Sequence, residues 1–227
     1  ETVDSNDYAV VLASGASKSA MIDVGFTGQA KILMADGTVA TYDVDMLASA
    51  KKYMAAGIDI NGSATDPTTD AAKIAAFAQY IANSNNTGIY VAADSNKVAD
   101  TIVKYVIADS KITLIPATDG ANSQSISVDK SDVALGSTGK VLNSTTTFLY
   151  WDAATSKASA ITGVKNISSS SKTVVAYVYD KDSSVVKFAY IKSDPGVTAS
   201  NFAYVTSDVS VVTENDKTYN TYAAVLS

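Results

Sequence analysis

The chain has no cysteine, no histidine and no arginine, and it holds only three prolines and one tryptophan in 227 residues. Each absence excludes something. Without cysteine no disulfide can form, so the cysteine count says nothing about redox compartment. Without histidine the chain lacks the side chain that most often moves protons near neutral pH. The two commonest side-chain ligands for zinc and copper are missing together. All 17 basic residues are lysine, 21 of the 23 acids are aspartate, and the net charge is −6. Nucleic acid is excluded as a partner by that balance, because phosphate binding needs a clustered cationic footprint and the densest here is Lys51-Lys52. The same argument disfavours an anionic membrane surface. No apolar run reaches 18 residues, and "ETVDSNDY" shows no charged n-region followed by an apolar h-region. The chain reads as soluble, or as the mature part of a protein whose signal peptide is gone, with no transmembrane segment.

What is present is material for a core. Hydrophobic residues make up 47% and charged residues 18% of the chain, and the length accommodates two domains. Strand signals dominate, mostly as pairs around a polar turn. "AKILMADGTVATYDVD" sets Asp36-Gly37 between two apolar stretches, a strong hairpin signal. In its second arm Val39, Thr41, Asp43 and Asp45 share one face, and Ala40, Tyr42 and Val44 the other. "TIVKYVIADSKITLI" turns at Ala108-Asp109-Ser110, and "VVAYVYDKDSSVVKFAYI" turns at Asp180 to Ser184. "FLYWD", "AATSK" and "ASAITGV" repeat the up, turn and return pattern.

Two segments predict helix. "DMLASAKKYMAAG" carries Asp45 as N-cap and Gly57 as stop. "DPTTDAAKIAAFAQYIANS" begins after Pro67, with Thr68 or Thr69 as cap and Ile74, Phe77, Ala78 and Ile81 on one face. Both fall between the hairpin ending at Asp45 and the strand "TGIYVAAD". Three strands, a helical crossover and two or three further strands is the element order of an OB-like barrel. The expected fold is therefore mainly β: tandem small β-barrel or β-sandwich modules, the first OB-like with two short helices inserted at about residues 45–85.

Polar stretches place the boundaries at "PATDGANSQS" (116–125) and "KSDPGVTASN" (192–201). They divide the chain into a first module over 1–118, a small all-β module over 119–194 and the start of a third, truncated module over 195–227. The last segment echoes the first: "DYAVVLASG" and "QAKILMA" parallel "NFAYVTSD" and "TYAAVLS". "TYAAVLS" is expected to lack a strand partner, which makes the chain an excised piece of a longer protein with an association-prone edge.

The phrases "AKILMADGTVATYDVD", "DTIVKYVIADSKITLI", "STTTFLYWDAATSKASAITGVKNI" and "VVAYVYDKDSSVVKFAYI" resemble the β-rich repeats of Firmicutes S-layer-homology-domain surface proteins. In that family a variant of T-x-[FY]-x-[YW]-D precedes a TG-x-K-N-[IV] stretch. Here the residues are Thr147, Phe148, Tyr150 or Trp151, and Asp152, then Thr162-Gly163-Val164-Lys165-Asn166-Ile167. The resemblance spans most of residues 8–192, and the cysteine-free, Ala/Val/Ser/Thr/Asp-rich composition accords with it. The S-layer-homology anchor modules themselves are not in the chain. The resemblance implies a structural role in a surface array or cell envelope at the extracellular bacterial surface, with self-association or envelope components as partners. It transfers no active-site residues.

The candidate chemistry has a plainer reading at every position. Tyr150-Trp151-Asp152 could stack on a sugar ring while the carboxylate accepts hydroxyl protons. Adjacent strand residues point to opposite faces, however, so the expected reading is a hairpin with core aromatics and Asp152 opening the turn. A core Trp151 implies a truncation cost of roughly 3–5 kcal/mol. Asp180-Lys181-Asp182 begins like a calcium loop, but no glycine stands sixth and no glutamate twelfth. Asp43 and Asp45 share a face and could join a calcium site completed by another loop; solvated carboxylates are the plainer alternative. Ser127-x-x-Lys130 and Ser169-x-x-Lys172 match an acyl-enzyme spacing without its companion motifs. A carboxylate pair for glycoside hydrolysis has no positional signature. Asn61, Asn85, Asn143 and Asn166 open glycosylation sequons. No catalytic, cofactor-binding or metal residue is assigned; calcium and glycan stay open as ligands. The leading expectation is a non-catalytic spacer or lattice element, and the alternative is a glycan-binding or adhesin module using exposed aromatics.

Overall fold

The structure is a computed structural model that describes residues 8–18, 25–63, 65–82, 98–120, 125–128, 132–168, 171–192 and 194–195, together with the backbone of four strands between 203 and 226. The strand expected at "TGIYVAAD" lies outside the described residues.

The first module is a closed barrel. Its strands are β1 (Tyr8–Lys18), β2 (Phe26–Met34), β3 (Val39–Val44), β4 (Ile102–Ala108) and β5 (Lys111–Pro116), in the circular order β1-β2-β3-β5-β4. β3 and β5 run parallel through Asp43↔Lys111 and Val44↔Ile112, and β4 closes on β1 antiparallel through Tyr8↔Lys104. Two helices, α1 (Met46–Ala55) and α2 (Asp70–Ile81), cross between β3 and β4. This is OB topology, and helix falls where the two capped periodicities put it.

Local chemistry explains the joints. Asp36 Oδ1 accepts from the Thr38 amide at 2.8 Å and Gly37 sits at φ +88°, so the Asp-Gly pair turns β2 into β3. β4 and β5 meet through Asp109 and Ser110, both at positive φ, as a two-residue type I′ loop demands. Asp45 caps α1 by accepting from the Ala48 amide at 2.9 Å. Thr69, rather than Thr68, caps α2 through the Ala72 amide at 3.2 Å. Ser49 on α1 accepts from the Leu114 amide, tying the helix to β5. Gly28 lets both helices close on the barrel: a Cβ there would run into Met46 Sδ and lie 2.9 Å from Ile81 Cδ1. Ala9, Val11, Ile32, Phe77, Ile81, Ile112 and Leu114 fill the interior.

Thr118 bonds back to the backbone of Ile102, while the next residues pair with the second module: Asp119 donates to Tyr177 O and Tyr177 donates to Gly120 O. That module is built from β6 (Ser125–Ile126), β7 (Val133–Ala134), β8 (Val141–Leu142), β9 (Thr147–Asp152), β10 (Lys157–Thr162), β11 (Lys172–Tyr179) and β12 (Val186–Ile191). Five of them form one sheet in the order β10-β9-β12-β11-β6, with β7 and β8 as a small separate pair. The hairpins β9–β10 and β11–β12 join through a parallel contact, Phe188↔Thr147 to Ile191↔Tyr150. One sheet face, with Phe148, Tyr150, Val174, Tyr177 and Ile191, covers the module's own core. The opposite face, with Leu149, Ala176, Val178, Phe188 and Tyr190, packs on Tyr8, Val10, Leu33 and Ile102 of the barrel.

The last strands are β13 (Ala203–Val205), β14 (Ser210–Glu214), β15 (Lys217–Thr221) and β16 (Ala224–Leu226). β13 pairs with β16 and β14 with β15, all antiparallel. This corrects the expectation for "TYAAVLS", whose strand does have a neighbour.

Candidate functional site

Where the barrel meets its helices, a groove of about 440 Å³ opens to solvent. Phe26, Thr27 and Gly28 enter it from β2, Asp43 and Val44 from β3, and Lys111 from the start of β5. The register explains the meeting, since Asp43 is paired with Lys111 across the parallel β3–β5 ladder and Gln29 with Asp43 across β2–β3. Asp45, Met46 and Leu47 follow as the chain turns into α1, and Ile74 comes from α2. Acid and base thus rim an apolar floor. Both carboxylates already have work: Asp43 accepts from Gln29 Nε2 at 2.9 Å, and Asp45 is the helix cap. With these groups the groove can bind a polar ligand through Asp43, Lys111 and the Phe26 ring.

Asp43 and Asp45, which share a strand face in sequence, therefore both reach this groove. Phe26 and Lys111 carried no sequence signal and Ile74 only that of an apolar helix face, because the residues converge only in the folded chain. A cluster of three or more residues able to hold a metal ion is absent among the described residues.

The aromatic–acidic segment divides as alternation requires. Tyr150 is buried in the second module's core. Trp151 faces the other way, half-buried against the barrel, with Lys31 Nζ 4.3 Å from its ring centroid. Trp151 is thus an interface residue, which corrects its placement in the core. Asp152 opens the turn: it accepts from Thr155 Oγ1 at 2.5 Å and the Ala154 amide at 2.9 Å, and these two donors hold its carboxyl below the usual range. The TG-x-K-N stretch is also structural. Gly163 at φ +92° leads into a single 3₁₀ turn, and Asn166 Nδ2 donates to Thr162 O at 2.7 Å.

Asp180 Oδ1 accepts from the Asp182 amide at 3.0 Å within the β11–β12 turn. Lys172 is buried, and its ammonium donates to Asp194 O; Ser169 and Lys130, the other halves of the two Ser-x-x-Lys spacings, lie outside the described residues. The sequon asparagines Asn61 and Asn143 accept turn amides, and Asn85 lies outside the described residues. Between the two helices, where Tyr53 packs on Phe77 and Tyr80, burial first and the neighbouring Tyr80 second push the Tyr53 phenol far above its usual range. No helix among the described residues is long and apolar enough to cross a membrane. Comparison with protein families, characterised proteins and solved structures finds no significant match to this chain.

Proposed function

We propose that the chain is a non-catalytic structural segment of a bacterial surface-layer or cell-envelope protein, its β modules acting as a rigid spacer or lattice element. The observation that carries this reading is the apolar seam between barrel and sheet. Tyr8, Val10, Leu33 and Ile102 meet Leu149, Ala176, Val178, Phe188 and Tyr190, none more than 9% exposed. Modules joined by a polar linker move by default; a buried, mainly apolar seam removes that freedom. The seam is reinforced by the Tyr8–Phe188 ring contact at 5.0 Å and by the Lys192–Asp100 ion pair. Gly37, at the tip of the β2–β3 hairpin, docks on Ala160 of β10 so closely that a Cβ would lie 3.2 Å from its nitrogen. A spacer that transmits load needs such a joint. The envelope assignment is supported by the resemblance and the composition.

Calorimetry tests the joint: residues 8–195 should unfold in one transition, and two separable transitions would refute the rigid unit. Surface biotinylation of intact source cells tests the location, with labelling expected and protection by the cell membrane contrary to it. The glycan-binding alternative loses its aromatic platform, since Tyr150 is buried and Trp151 lies under Lys31. It moves to the Phe26–Asp43–Lys111 groove, and a glycan array decides it.

A further inference from the structure

Three ionic side chains rim the groove beside α1, and each has bonding capacity that the fold does not use. Asp43 accepts from Gln29 Nε2 through Oδ1, and Asp45 accepts from the Ala48 amide through its own Oδ1. Among the described residues, neither Oδ2 atom nor the Lys111 ammonium has a hydrogen-bond or ion-pair partner. Asp43 and Lys111 are direct neighbours on the parallel β3–β5 ladder. Their strands run about 4.8 Å apart, so the two side chains leave side by side on one face. Opposite charges across a ladder can stabilise a sheet by pairing. These two do not pair, and both line the groove.

The rest of the lining is largely hydrocarbon. Val44 and Met46 are buried and Ile74 is half-buried. The open volume of about 440 Å³ falls within the range of small-molecule sites, roughly 300–1,000 Å³. Charge decides between ligand classes. A simple cation would suit the two carboxylates and be repelled by Lys111; a simple anion meets the reverse. A sugar brings hydroxyls without charge, and the Phe26 ring on which it would stack already faces the Lys18 ammonium, 5.9 Å from its centroid. A molecule that carries an ammonium, a carboxylate and a hydrocarbon body satisfies all of these groups at once.

We propose that this groove is a binding site for a zwitterion with an apolar body, of the size of a hydrophobic dipeptide. Its ammonium lies on Asp43 and Asp45, its carboxylate on Lys111, and its side chains over Val44, Met46 and Ile74. The volume favours two residues over one. The site does not depend on the spacer role of the modules, and it stands whatever the cellular location of the protein.

The test is a titration of the full chain with leucyl-leucine, read from backbone amide shifts by nitrogen–proton NMR. Saturable shifts should appear at residues 26–28, 43–47 and 111, with a Kd below about 1 mM. N-acetyl-leucyl-leucine lacks the ammonium and leucyl-leucinamide lacks the carboxylate; each should bind at least about tenfold more weakly. Lys111→Gln should erase the preference for the dipeptide over its amide and keep the preference over the acetylated form. Asp43→Asn should do the opposite. Both substitutions replace exposed side chains, and unchanged melting curves will show the variants folded; should one fail to fold, the three ligands on the unaltered chain still decide. Absence of saturable shifts up to about 10 mM dipeptide, or shifts confined to other residues, would overturn the proposal. So would a preference over the amide that survives Lys111→Gln. Glucose binding at the same amides with equal strength would make the groove a sugar site instead. Calcium chloride that saturates those amides and displaces the dipeptide would make the two carboxylates a cation site, and either result would also overturn the zwitterion.

Discussion

At Trp151 the chain shows how a strand residue can be half right from sequence. Alternation along "FLYWD" correctly sends Phe148 and Tyr150 one way and Leu149 and Trp151 the other. Periodicity does not say what covers the second face, and here it is the barrel. The indole is half-buried and carries the Lys31 ammonium over its ring. Truncation therefore removes less buried surface than in a closed core. Trp151→Ala should cost about 2 kcal/mol, below the roughly 3–5 kcal/mol expected of a fully enclosed tryptophan. Part of that cost is shared with Lys31. In a double-mutant cycle with Lys31→Met, coupling of about 0.5–1 kcal/mol should appear in urea unfolding. Additive effects would show that the lysine rests on the ring without stabilising it.

Among the elements, those with a local signal were legible: the Asp36-Gly37 turn, the capped helices and the strand pairs on either side of short polar loops. The parallel seams β3–β5 and β9–β12 were not, since nothing local couples residues that far apart in sequence. The groove shares that fate, because Asp43 and Lys111 meet only across such a seam. The β4–β5 loop is legible in position but unusual in composition. Asp109 at φ 50° and Ser110 at φ 62° occupy left-handed positions that glycine or asparagine usually fill. A residue with a Cβ pays for that conformation, while glycine adds unfolded-state entropy that offsets part of the relief. Ser110→Gly should then stabilise the chain by about 0.5–1 kcal/mol, read as a higher urea midpoint at unchanged slope. A lower midpoint would mean that the serine hydroxyl contributes more than the strain costs.

For the molecule as a whole, the apolar runs "YAVVL" and "FAYI" are the trace of the seam: strands buried on both faces lose polar alternation. In sequence "FAYI" reads as a hairpin arm and "YAVVL" as part of a repeated strand phrase, and their second face became visible only with the two modules together. The same burial sets the pH response. No histidine or cysteine titrates near neutrality, so stability should stay nearly flat between about pH 6 and pH 9. Above that the tyrosines matter. Tyr53 lies between the first module's helices and Tyr190 in the seam, and burial is the main reason both phenols are held well above their ordinary value of 10.0, with the Asp100 carboxylate adding to the effect at Tyr190. A folded-state pKa above the unfolded value means that the fold favours the neutral phenol. That stabilisation is fully present below about pH 10 and is lost as pH rises further, by about 1.4 kcal/mol per pH unit for each phenol that ionises only on unfolding. Absorbance at the phenolate band reports these two ionisations. Tyr53 and Tyr190 should then ionise together in one step that coincides with loss of the strand signal in circular dichroism. Because Tyr190 belongs to the seam and Tyr53 does not, the pair also reports on the joint. If Tyr190 ionises while Tyr53 stays neutral and the barrel stays folded, the modules separate before they unfold, and the seam is weaker than its apolar contacts imply.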